Sequence, residues 1–377
     1  MASRRTNGRK SSGRKIGYAV VGLGHIAQTA VLPAFAHAKN SRLVMLVSDD
    51  EEKREKLSRK YGVEACSYEQ YDDCLARDEV DAVYIALPNT MHADYTVRAA
   101  QAGVHVLCEK PMATNESDCR RMITACDDAG VRLMIAYRLH FEPANLEAIR
   151  TVKSGRLGEP RFFSSDFSYQ VKEDNIRTEA ELGGGPIWDI GVYCINASRY
   201  LFRAEPVEVV AFGTRDSDKR FDPGVPAGMS CLMRFGDEQL GTFNVSFQAA
   251  ATDTYRIVGT KGDLCLDEAY EYQAEREMVV TVNDRPRTRT FPKTDQFAPE
   301  LIYFSDCVLR DVEPEPSGEE GLADVRVIEA LLRSAEDGRS VRLPPFKRRM
   351  RPEPSMKMRQ PPVREPEPVH ADSPVAQ

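Results

Sequence analysis

The chain has 377 residues, of which 42% are hydrophobic and 29% charged, and its formal net charge is −7. Its length predicts two domains, and its composition is that of a globular protein in water. The acidic balance excludes a general nucleic-acid surface, and no apolar run reaches the eighteen or so residues needed to span a bilayer.

Nine cysteines (66, 74, 108, 119, 126, 194, 231, 265 and 307) include no C-x-x-C pair. An odd count without metal spacing predicts a reducing compartment, no structural disulfide and no metal site. Residues 1–15 are rich in Arg, Lys, Ser and Gly and are expected to be a disordered basic arm. The pair Arg4-Arg5 suggests export, but the next apolar run is already the first strand. A cytoplasmic location is therefore the expectation.

Residues 16–21 form an apolar run that Gly22 breaks, and 26–38 carry Ile26, Ala30, Val31 and Phe35 at helical spacing. Strands are expected at 43–47, 80–87, 104–108 and 131–137, with helices at 51–60, 92–102 and 115–129 between them. This alternation predicts a doubly wound parallel sheet, a Rossmann domain over 16–138. Beyond Tyr137 the period changes. After a helix at 143–154, strands are expected at 161–171, 207–213, 229–235, 241–249, 254–258 and 278–282, and a helix at 321–337. Residues 139–343 therefore read as an α+β domain with a large, mostly antiparallel open sheet. From Pro344 the chain is dense in Pro, Arg and Glu, and 344–377 is expected to be a disordered tail.

Gly22-x-Gly24-x-x-Ala27 follows a strand and opens a helix, the context of a dinucleotide fingerprint. Gly22 permits the tight turn, Gly24 admits a pyrophosphate, and the helix amides face the anion, with His25 and Ile26 beside it. At the end of the second strand, Asp49 suits the ribose hydroxyls of NAD. Ser48 with Lys53 or Arg54 suits the 2′-phosphate of NADP, and the residues alone leave both open. Leu87-Pro88-Asn89, with His92 after it, and Cys108-Glu109-Lys110-Pro111 lie at strand carboxyl ends, where ligands bind in such sheets.

Residues 183–185 are three glycines ahead of a helical stretch in which Asp189 and Tyr193, four apart, share a face. A phenol is a weak base, but a neighbouring ammonium such as Lys110 favours its phenolate. A Lys–Tyr–Asp group could then take a hydroxyl proton as the same carbon loses its hydride. Arg138, His140 and Arg177 are candidates for the cleft rim, and Arg138 also for cofactor contact.

With these residues the chain resembles the glucose–fructose oxidoreductase/inositol dehydrogenase family, from about Ile16 to Leu343. The resemblance rests on Ser48 with Lys53 five residues on, Val83-Tyr84-Ile85-Ala86-Leu87-Pro88-Asn89, and Cys108-Glu109-Lys110-Pro111-Met112-Ala113-Thr114. It continues through Ala136-Tyr137-Arg138-Leu139-His140, the three glycines, Asp189-x-Gly191-x-Tyr193-x-x-Asn196 and Gly318-Glu319-Glu320-Gly321. It implies that Lys110, Asp189 and Tyr193 line the reaction centre, with Tyr193 as acid/base. Most of the wider family has histidine at that position, so the tyrosine points to the glucose–fructose and aldose–aldose oxidoreductase branch. It also implies that Ser48 and Lys53 hold the phosphate of NADP, although Asp49 stands where that branch usually has glycine, as in NAD-preferring members. The implied reaction is oxidation of an aldose at C1 to a lactone, with a tightly held cofactor and a second sugar as acceptor. A homodimer or homotetramer through the C-terminal sheet is implied too. The alternatives are a dehydrogenase of another sugar or polyol hydroxyl, and a non-catalytic sugar-sensing regulator.

Overall fold

The structure, a computed structural model, describes residues 13–214 and 218–376. Most of the expected basic arm therefore lies outside the described residues. The first sheet holds β1 (Ile16–Val21), β2 (Ser41–Val47), β3 (Glu64–Cys66), β4 (Ala82–Ile85), β5 (His105–Cys108) and β6 (Leu133–Ile135). All are parallel, in the order β3-β2-β1-β4-β5-β6. Every residue of β1 and β4 is buried, because helices cover both faces. The order reverses between β1 and β4. The loops leaving their carboxyl ends part there and open a crevice.

The second sheet has nine strands: β7 (Pro160–Ser168), β8 (Glu208–Gly213), β9 (Gly228–Phe235), β10 (Gln239–Ser246), β11 (Thr252–Gly259), β12 (Gly262–Asp267), β13 (Arg276–Val282), β14 (Arg285–Phe291) and β15 (Val341–Arg342). They run in the order β14-β13-β12-β11-β7-β10-β9-β8-β15. The β7–β10 pair is parallel and the other pairs are antiparallel, so the open, mostly antiparallel sheet is as expected. In β9 buried Met229, Cys231 and Met233 alternate with exposed Ser230, Leu232 and Arg234, the period-two pattern of a sheet with one covered face.

Several expectations need correction. The helix expected at 26–38 is present only as far as Ala34, as a wide π turn, Ala27–Val31, that runs into a short helix, Leu32–Ala34, with Pro33 in its first turn. The helix Phe297–Arg310 falls within 139–343 but packs on the first sheet, where Ser305 Oγ lies 2.8 Å from the Tyr18 hydroxyl. Cys66 and Cys74 are joined by a disulfide, against the expectation of none, because β3 and the helix Tyr71–Leu75 bring them together.

The expected disordered tail is instead laid along the body. Arg348, whose side chain is 1% exposed, and Arg351 pair with Glu320 and Glu205. Glu353 meets Lys153 and Arg203, the Met358 amide donates to the Phe141 carbonyl, and that of Asp295 donates to Gln360. Composition alone marks such a segment as unable to build its own core. It cannot show the acidic pocket and carbonyl edges elsewhere that receive it. Among the described residues no helix is long and apolar enough to cross a membrane.

Candidate active site

The crevice between the two domains is a cleft of about 480 Å³. At one end lies the turn after β1. Gly22 has φ +90°, and a Cβ there would meet the Ala86 carbonyl oxygen at 2.4 Å, so the turn requires glycine. A Cβ on Gly24 would meet no heavy atom within 4 Å, which leaves the backbone on that side open to a ligand. Ser48, at the end of β2, and Lys53, in the helix Glu51–Tyr61, line the same end. Asp49 does not. Its carboxylate accepts the Tyr68 amide at 2.7 Å, and Tyr68 lines the cleft in its place. Arg54 also turns away and donates to the Ser48 carbonyl at 2.6 Å. A buried hydroxyl, an ammonium and an open glycine turn fit a phosphorylated dinucleotide.

Of the cofactor candidates, Gly22, Gly24, His25, Ile26, Ser48, Lys53, Leu87, Pro88, Asn89, Glu109, Lys110 and Arg138 all line the cleft. His92, like Asp49 and Arg54, does not line it. It is fully buried, with ring nitrogens 2.9 Å from the carbonyl oxygens of Leu87 and Pro111, and it ties the two strand-end loops together. His140 is likewise not on the rim. It is buried behind the site, where Nε2 lies 2.8 Å from Asn196 Oδ1.

The Gly-rich run joins the domains. The Asn89 side chain donates to the Gly183 carbonyl at 2.9 Å, and a Cβ on Gly184 would meet the carbonyl oxygens of Arg177 and Glu179 at 2.6 and 2.7 Å. Beyond it, Ile187–Gly191 forms a π turn that runs into the helix Val192–Phe202. Such turns widen a helix and are common at functional sites. Asp189 and Tyr193 both face the cleft from it.

Lys110 enters from the end of β5, and the Lys110–Pro111 peptide bond is cis. Its Nζ donates to Asp189 Oδ1 and to the Asp189 carbonyl, both at 2.9 Å, and sits 4.7 Å from the centre of the Tyr193 ring. Burial lowers the Lys110 pKa, but Asp189, Tyr193 and Glu109 outweigh it and the group remains an ammonium. The other Asp189 oxygen accepts Arg177 Nε at 2.6 Å and the Tyr169 hydroxyl at 3.0 Å. Burial raises the Asp189 carboxyl, yet Arg177 and Lys110 together hold it far below the usual carboxylate range. Asp189 is thus an anchor saturated by protein donors rather than a free arm for substrate.

Arg138 packs over the Tyr193 ring at 5.1 Å and donates to its phenolic oxygen at 3.1 Å. It also donates to the Tyr270 carbonyl and the Gln296 side chain, which fixes its fork. Glu109 accepts the Tyr84 hydroxyl at 2.7 Å, and burial pushes its carboxyl up. Sequence reasoning placed Arg138 among candidates for the rim or the cofactor, whereas it reaches the phenol itself. It missed Tyr169, Tyr68, Tyr272 and Gln273, which line the cleft from segments with no motif. It also missed Ser373, Pro374 and Val375, which line the cleft from the tail.

Comparison with known proteins decides the family. Residues 16–137 match the GFO/IDH/MocA oxidoreductase family with its NAD-binding Rossmann fold, and residues 146–265 match the GFO/IDH/MocA C-terminal domain. The chain belongs to the GFO/IDH/MocA oxidoreductase family. A D-xylose 1-dehydrogenase (NADP(+)) from Haloferax volcanii is 33% identical over 330 residues, 86% of this chain and 99% of that protein. An aldose–aldose oxidoreductase from Caulobacter crescentus, solved with glycerol, is 39% identical with a TM-score of 0.83, over 88% of this chain and 100% of its own. A 3-ketoreductase from Actinomadura kijaniata, solved with NADP and TDP-benzene, is 27% identical with a TM-score of 0.79, over 85% and 98%.

Proposed function

We propose that this GFO/IDH/MocA enzyme oxidises an aldose at C1 with NADP, giving the aldonolactone, and that Tyr193 is its acid/base. One observation carries the reading: the Tyr193 phenol sits under both Lys110 and Arg138 in the same cleft as the glycine turn. Two cations over one phenol favour negative charge developing on its oxygen. Once the phenol has released its own proton to solvent, its oxygen, still accepting from Arg138, can take the proton of the C1 hydroxyl as that carbon becomes a carbonyl. Asp189 holds Lys110 in place, and Arg177 and Tyr169 hold Asp189. Bound NADP supplies the two-electron acceptor. Ser48 and Lys53, which line the cleft where Asp49 does not, are assigned to its 2′-phosphate.

The relatives that act on D-xylose and pair two aldoses support an aldose substrate. Recycling of a retained cofactor by a second sugar belongs to this proposal, as does a cytoplasmic location. So does self-association through the outer face of the second sheet, where Phe162 and Phe212 are 55% and 72% exposed. The 3-ketoreductase favours a second reading, reaction at a ring hydroxyl other than C1, since the same phenol and ammonium serve any secondary alcohol.

The test is Tyr193→Phe assayed with NADP and a panel of aldoses and glycosides blocked at C1. Aldose turnover should fall about a hundredfold to ten-thousandfold with NADPH affinity retained. Activity on the C1-blocked sugars equal to that on free aldoses would move the reaction to another carbon.

A further inference from the structure

The end of the tail crosses the cleft mouth from one domain to the other. On the first domain, the Val369 amide donates to Gln28 Oε1 at 2.8 Å, and the Val369 carbonyl accepts Gln28 Nε2 at 2.9 Å. The same Gln28 nitrogen holds the Leu23 carbonyl inside the glycine turn at 2.8 Å. The Ala371 carbonyl lies 3.2 Å from His25 Nδ1 in that turn, and His370 contacts Asp50 and Glu52 at the head of the next helix. On the second domain, the Pro374 carbonyl accepts the Lys172 amide at 2.9 Å, and the Ala376 amide donates to the Gln170 carbonyl at 2.8 Å. Between these two attachments Ser373, Pro374 and Val375 line the cleft.

A segment bonded to both walls of a cleft cannot stay in place while the cleft empties through that side. Its upstream anchors, Arg348 and Arg351, leave residues 369–376 free to detach as a unit while the rest of the tail remains held. The purchase on the first domain is on the glycine turn itself, so a dinucleotide lying along that turn would leave past the segment.

We propose that residues 369–376 are a strap that closes the dinucleotide site and keeps the cofactor bound from one turnover to the next. The proposal rests on the dinucleotide reading of the cleft. It gives a retained cofactor a physical cause: exchange waits for the strap to release.

Stopped-flow fluorescence of NADPH leaving the protein, chased with excess NADP, tests it on three forms. These are the full chain, a chain ending at Pro368, and the full chain carrying Val369→Pro with Ala376→Pro. The proline pair removes the two strap N–H donors and leaves the tail in place. Circular dichroism and melting temperature of each form check that the fold is kept.

NADPH dissociation should quicken about tenfold or more in the shortened chain, the equivalent of one or two lost hydrogen bonds, and by a smaller factor in the proline variant. Exchange between two sugars without added cofactor should decline over successive turnovers in the shortened chain and return when NADP is supplied. A dissociation rate within twofold of the full chain in a folded shortened chain overturns the proposal. So does tighter NADPH binding in both altered forms, which would make the segment an inhibitor of binding. A full chain that gives no signal with NADPH or NADH would instead bring down the dinucleotide reading, and the strap with it.

Discussion

Tyr193, Lys110 and Asp189 form a site in which each polar group has its partner inside the protein. Because Asp189 keeps Arg177 and Tyr169 when Lys110 is lost, Lys110→Met should remain folded. Its turnover should drop about a hundredfold or more, with melting temperature near that of the wild type, because the ammonium over the phenol is gone. The proposed determinants of cofactor choice, Ser48 and Lys53, lie in the same cleft. Ser48→Ala with Lys53→Ala should cut the NADP-over-NAD preference by about ten- to a hundredfold, the worth of one charge-assisted contact, as read from kcat/KM with each cofactor. That these residues share one cleft was legible because type and spacing encode it: a glycine turn after a strand, a lysine at a strand end, a tyrosine four beyond an aspartate. Asp49 and His92 stand off the cleft lining for a physical reason. Their positions at strand ends suit a ligand, but an amide and two carbonyls within hydrogen-bond reach claim them first. Arg138 shows the converse, since nothing in a strand-to-helix junction tells that its fork crosses to a helix more than fifty residues on.

Elements with a strong period were read well, and those without one were not. β1, β5 and β9 show their burial in their own residues. β14, Arg285–Phe291, alternates arginines with Pro286 and two threonines, and six of its seven residues are exposed, so only backbone pairing with β13 defines it. β3 and β15 have three and two residues, too short for any period. The turn after β1 is defined by sterics rather than hydrophobicity. Gly22→Ala should therefore cost about 1–3 kcal/mol of stability, since the position has a positive φ and a backbone oxygen in the space of the methyl. NADPH affinity should weaken with it, measured by fluorescence titration alongside chemical denaturation.

At the scale of the whole molecule, the tail supplies cations to a core that is short of them. Glu320 is 2% exposed and lies with Asp324 around Arg199, while Arg348 approaches from the far end of the chain. Burial raises the Glu320 carboxyl, but Arg199 and Arg348 outweigh it and hold the group low. A depressed carboxylate contributes stability above its ordinary pKa and loses it as pH falls below that value. Arg348→Ala should thus cost about 3–5 kcal/mol near pH 7, with the deficit narrowing as pH drops below about 4.5, seen in urea midpoints across pH. The helix Phe297–Arg310 has a different consequence, one in time. Ile16, Tyr18 and Val20 share a buried cluster with Phe297, Leu301 and Phe304, so the first domain is covered by a helix made long after its own last strand. On a ribosome adding about 5–20 residues per second, that face waits roughly ten to thirty seconds between the emergence of residue 138 and that of residue 310. During translation the nucleotide-binding half is therefore an open-backed sheet, and its completion is tied to synthesis of the C-terminal half.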